Sequence, residues 1–105
     1  MTAERHDYDR LAEGQDAEVE ITVLAVTEAP GGVPVMLAKV DQTQVELWAA
    51  TPGACSAARH VARGAHVAAH ITKCPEVISD RRYGGLRKSP ELRIRFARLL
   101  ELRPA

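Results

Sequence analysis

Gln44–Lys73 reads QVELWAATPGACSAARHVARGAHVAAHITK. Val45 and Leu47 alternate with Glu46 and Trp48, the period of a strand with one buried face. Thr51-Pro52-Gly53 interrupts that period. Ala54–Arg63 is rich in alanine, the best helix former, and Gly64 follows it as a helix stop. Ala54, Ala57, Ala58 and Val61 fall on one face of such a helix, with Arg59 and Arg63 pointing away. Val67, Ala69 and Ile71 then alternate with His66, Ala68, His70 and Thr72. The stretch therefore predicts a strand, a helix of about three turns, and another strand.

Two more strands precede it. Glu18–Thr27 puts Val19, Ile21, Val23 and Ala25 on one face and turns apolar on the other at Leu24 and Val26. In Glu28-Ala-Pro-Gly-Gly32, Pro30 followed by Gly31 suits a type II turn. Val33–Val40 follows, with Pro34 restricted to the strand's start or edge because it cannot donate to a ladder. Asp41–Thr43 connects it to the strand beginning at Gln44. Beyond Cys74-Pro75, residues 76–90 read as a long polar loop. Glu91–Leu102 is the last strand, with Leu92, Ile94 and Phe96 facing the core and Arg93, Arg95 and Ala97 facing away. Leu99-Leu100 breaks that alternation and predicts a bulge.

Three strands, a short helix, then two strands is the element order of the OB-fold. The expected class is all-β with one short helix, a five-stranded OB-fold Greek-key barrel over residues 18–103. An α+β sheet with another winding is the competing arrangement. Residues 1–17 are expected to form a flexible acidic N-terminal tail outside the core.

The formal net charge is zero, yet the charges are segregated. Residues 1–50 hold three Lys/Arg against ten Asp/Glu, and residues 51–105 hold eleven against four. That asymmetry suggests an anionic partner for the second half, or mutual neutralisation of the two halves. Arg81, Arg82, Arg87, Lys88, Arg93, Arg95 and Arg98 supply seven of the fourteen basic residues within Arg81–Arg98, against one acid, Glu91. Cys55 and Cys74 fit no CxxC or disulfide framework, so free thiols in a reducing compartment are expected. With no apolar leader or spanning run, the chain is expected to be soluble and cytoplasmic.

Catalytic chemistry finds no support. His66 and His70 share a strand face about 13 Å apart, too far for one metal ion. Ser79-Asp80 has no histidine in range to form a triad. Gly31-Gly32 and Gly84-Gly85 lack the strand-to-helix setting of a phosphate-cradling loop. No cofactor and no metal is expected.

Single-strand binding needs cations along a backbone path and flat surfaces for bases. Arg81, Arg82, Arg87 and Lys88 on the long loop, Arg93 and Arg95 on the last strand, and Lys39 and Lys73 on neighbouring strands are the candidate cations. Tyr83, between the Arg pair and Gly84-Gly85, and Trp48, facing away from Val45 and Leu47, are the candidate stacking surfaces. The plain alternatives are a solvated charge run, an ordinary solvent face and a rim tryptophan.

The run from Val45 through Gly64 to Ile71 resembles bacterial single-stranded-DNA-binding proteins. Pro30–Lys39 and Leu86–Arg95 are similar, within that family, to the short primosomal replication protein N type. The resemblance covers residues 18–102. It implies an OB-fold, a homodimer or higher oligomer, and single-stranded DNA binding in replication, repair or recombination, alongside proteins of those processes. RNA is the related ligand. The family's stacking aromatics are mostly absent: the chain has one Trp, two Tyr and one Phe. An OB barrel that has become a protein-interaction subunit is therefore the rival expectation.

Overall fold

The computed structural model describes residues 8–79, 82–83, 87–88 and 92–104; for 78–79, 82–83, 87–88 and 92–93 only backbone pairing is described. Strand β1 (Asp16–Glu28) is long because two neighbours share it. Its first half pairs antiparallel with β4 (His66–Lys73) and its second half with β2 (Pro34–Val40). Thr22 faces both, opposite His66 and Lys39. The register then slips between Val23 and Ala25. Such a bulge adds local bend and twist, which lets one strand serve two sheets.

β3 (Thr43–Ala49) pairs antiparallel with β2 and parallel with β9 (Phe96–Pro104), and β9 returns to β4. The order β1-β2-β3-β9-β4 is closed. With helix α1 (Pro52–His60) between β3 and β4, this is the expected five-stranded OB-type barrel.

Local chemistry explains the connections. Gly31 has φ +94 and the Gly32 N–H donates to the Ala29 carbonyl at 3.0 Å, the type II turn that Pro30-Gly31 called for. Asp41 takes the left-handed φ of 55 in the two-residue β2–β3 connection, a conformation that aspartate tolerates better than most residues. The helix starts earlier than the alanine run predicted. Thr51 Oγ1 accepts from the Ala54 N–H at 3.0 Å and Pro52 opens the first turn, where its missing N–H costs nothing. Val61 is already extended, so the helix ends before Arg63.

The barrel interior is aliphatic, from Val19, Ile21 and Val23 on β1 to Ala97 and Leu99 on β9. Ala54 and Ala58 of α1 cover one end of it. The other end corrects the sequence reading. Tyr8–Arg10 forms a 3-10 turn, with Tyr8 1% and Leu11 5% exposed within the core. The Tyr8 hydroxyl donates to the Phe96 carbonyl at 2.8 Å, and the Gly14 N–H to the Lys73 carbonyl at 2.7 Å. An open barrel end exposes apolar interior, and these residues are the nearest chain able to cover it. The expected tail is thus overturned from Tyr8 onward, and residues 1–7 lie outside the described ones.

The last strand also differs. Arg95 lies in a break between β8 (Leu92–Ile94) and β9. Past that break Ala97 and Leu99 point inward, so Phe96 faces out instead of into the core. The expected bulge is present: Ile71 faces Leu99 while His70 faces Glu101, leaving Leu100 unpaired in the register. The segment expected to be loop contains paired strands. β5 (Val77–Ser79) pairs with β8, and β6 (Arg82–Tyr83) with β7 (Arg87–Lys88), as two nested antiparallel ladders. Among the described residues no helix is long and apolar enough to cross a membrane.

Tyr8→Ala should cost about 3–5 kcal/mol of unfolding free energy in urea titrations, the loss for a buried aromatic. Tyr8→Phe, losing one hydrogen bond, should cost about 0.5–1.5 kcal/mol. Burial first, then the neighbouring Cys74 and Asp9, push the Tyr8 phenol up to about 12. The folded phenol thus keeps its proton to higher pH than the unfolded one. Its stabilisation is complete below about pH 10 and is lost as pH climbs toward about 12. Urea midpoints across that window should fall less steeply in Tyr8→Phe than in the natural protein.

Candidate nucleic-acid interface

Alternation along β2, β3 and β9 sends a second set of side chains to the outside of the barrel. Cross-strand register arranges them in rows. Val35, Trp48 and Arg98 form one row, and Leu37, Glu46 and Phe96 the next. Lys39 and Gln44 form a third. Trp48 is 39% exposed, and Leu37, Glu46 and Phe96 are half-buried. Trp48 and Phe96 sit on adjacent strands, one step of the outward repeat apart. That places their backbones roughly 8 Å apart across the diagonal, close to the spacing of unstacked bases on an extended strand.

Charge on this face is ordered. Lys39 and Arg98 are exposed at opposite corners, with Glu46 between them. Trp48 Nε1–H donates to Glu46 Oε1 at 3.2 Å. Arg98 continues the row to Thr72 on β4, whose hydroxyl donates to Asp16 Oδ1 at 2.6 Å.

The predicted cations divide into groups. Lys39 lies on the face, as does the predicted stacking residue Trp48. Lys73 does not: its Nζ donates to the carbonyls of Tyr8 (3.1 Å) and Leu11 (2.8 Å) and stands 4.8 Å from the Tyr8 ring centroid. Arg95 is also committed, with Nε donating to Asp9 Oδ1 at 3.0 Å. Both side chains tie down Tyr8–Leu11, an acceptor-rich turn that needs donors where it meets the barrel. Across the sheet, Arg103 on β9 meets Glu18 on β1 at 3.0 Å and its neighbour Glu101 at 2.7 Å. Arg81 lies outside the described residues. Arg82, Tyr83, Arg87 and Lys88 pair in the inner ladder, and Arg93 faces Ile78 in the outer one.

Sequence reasoning missed Phe96 and Arg98 as partners of Trp48. Extending one alternation from Leu92 through Arg95 put Phe96 inside. The signal that would have found it is the second alternation, Ala97 and Leu99, whose phase opposes the first.

Two of the histidines make local hydrogen-bond contacts. His60 Nδ1–H donates to the Ser56 carbonyl at 2.7 Å, and His66 Nδ1 lies 3.0 Å from Thr22 Oγ1. Among the described residues no three His, Cys, Asp or Glu side chains are grouped to hold a metal ion. Cys55 and Cys74 are free and half-buried.

The class that fold and face define is an OB-type barrel carrying an aromatic, cation-flanked outer surface. Comparisons with family models, with curated proteins and with solved structures return no match.

If Lys73 and Arg95 are structural, their loss should appear as instability. Lys73→Met should lower unfolding free energy by about 1–3 kcal/mol, because two carbonyls lose a charged donor. Arg95→Ala should cost less, about 0.2–1 kcal/mol, since the pair with Asp9 is largely solvated. Urea titration of both variants checks the order.

Proposed function

We propose that this protein binds single-stranded DNA, without catalysis, on the outer face of β2, β3 and β9. The observation that carries this is the diagonal placement of exposed Trp48 and half-buried Phe96 on one outer face, with the cations Lys39 and Arg98 at its corners. Aromatic rings offer stacking to any base, and cations at the edges follow the phosphate path. The nested ladders of 77–94 support the same use. They end one residue before β9 and carry Arg82, Arg87, Lys88 and Arg93 in their strands. The resemblance to bacterial single-strand binders points to replication, repair or recombination as the setting, and to a homodimer or higher oligomer in the cytoplasm.

A protein-interaction module is the second reading. The half-buried Leu37 and Phe96, with exposed Trp48, would equally suit an apolar contact surface. Two of the expected phosphate cations, Lys73 and Arg95, are engaged elsewhere.

Fluorescence anisotropy with a labelled mixed-sequence single strand, titrated across salt, separates the two. DNA binding predicts affinity that falls with salt and quenching of Trp48 emission by the strand. Trp48→Ala should weaken binding about tenfold, the scale of one lost stacking partner. Lys39→Ala and Arg98→Ala should each flatten the slope of log affinity against log salt by about 0.7. Absence of binding at low salt, with Trp48 emission unchanged, would leave the interaction module standing.

A further inference from the structure

Glu46 occupies the middle of the proposed binding face, opposite Leu37 on one side and Phe96 on the other, two residues from Trp48. A carboxylate there repels phosphate. A bound strand would therefore run its backbone past Lys39 and Arg98 and turn its bases toward the centre. The Trp48 Nε1–H at 3.2 Å holds one carboxylate oxygen beside the indole. Among the described residues, the other oxygen has no protein donor.

We propose that Glu46 makes this face selective for bases that carry an exocyclic amine, cytosine, adenine and guanine, over thymine. This rests on the single-strand reading above. A carboxylate accepts well from an amine such as N4 of cytosine. Thymine offers no amine. Its one N–H lies between two carbonyl oxygens, and both repel the carboxylate that would approach it. Desolvating a carboxylate without a donor in return is costly, so thymine on this face is penalised while the aromatic rings stack both pyrimidines alike.

Oligo-dC and oligo-dT of equal length test this, because both are single-ring bases and differ chiefly in the edge presented. Anisotropy at neutral pH and low salt should give oligo-dC the tighter binding, by about threefold to tenfold. In Glu46→Gln the amide donates as well as accepts, and the ratio should fall toward one, mainly through stronger oligo-dT binding. Glu46→Ala, which removes the acceptor outright, should lose the ratio too. Equal binding of the two strands by the natural protein overturns the selectivity and leaves single-strand binding intact. So does a ratio that survives in both variants. Binding of neither strand, nor of the mixed-sequence one, overturns single-strand binding and the selectivity together.

Discussion

The backbone hydrogen bonds of β1 are divided between two neighbours, and the closed barrel depends on that division. Up to Thr22 the strand belongs to β4; from Thr22 onward it belongs to β2. A straight strand can have only one neighbour on each edge, and both would then lie in one flat sheet. The slip between Val23 and Ala25 bends β1 so that its two halves join sheets facing each other. Each of the five strands has a partner on both edges over part of its length, which shortens the template that an exposed edge offers to other chains.

Closure creates two ends, and the chain covers them in different ways. α1 lies across one end with two buried alanines, whose small side chains let the helix approach the strands closely. The other end is filled by Tyr8 and Leu11. There the donors are arranged around the plug: Lys73 on two carbonyls, Arg95 on Asp9, and the Tyr8 hydroxyl on Phe96. Burying an acceptor-rich turn is costly without such donors. Two of the candidate DNA cations are consequently part of the scaffold. Positive charge in a sequence marks what a residue can do, whereas its neighbours decide what it does.

The outer face follows from the same geometry. Once Ala97 and Leu99 fill the interior, Phe96 and Arg98 must face out, beside Trp48 and Glu46 on the parallel neighbour β3. Parallel pairing of β3 with β9 joins segments nearly fifty residues apart, and it builds a surface that neither segment contains alone.

Sequence determined the order of the five barrel strands and the helix, the type II turn at Pro30-Gly31, the inward faces of β1 and β3, the outward Trp48 and the bulge at Leu100. Each is a local matter of turn chemistry or of a period carried within one strand. Three things were left to the tertiary structure: the place of Tyr8 and Leu11, the inward phase of β9, and the partners of Lys73 and Arg95. The two apolar residues of the N-terminal turn sit among acids and show no period. The alternation of Leu92–Phe96 is broken at Arg95 by a bend that no turn residue announces. Both are fixed by the need to fill a closed barrel, a constraint that exists only once all five strands have met.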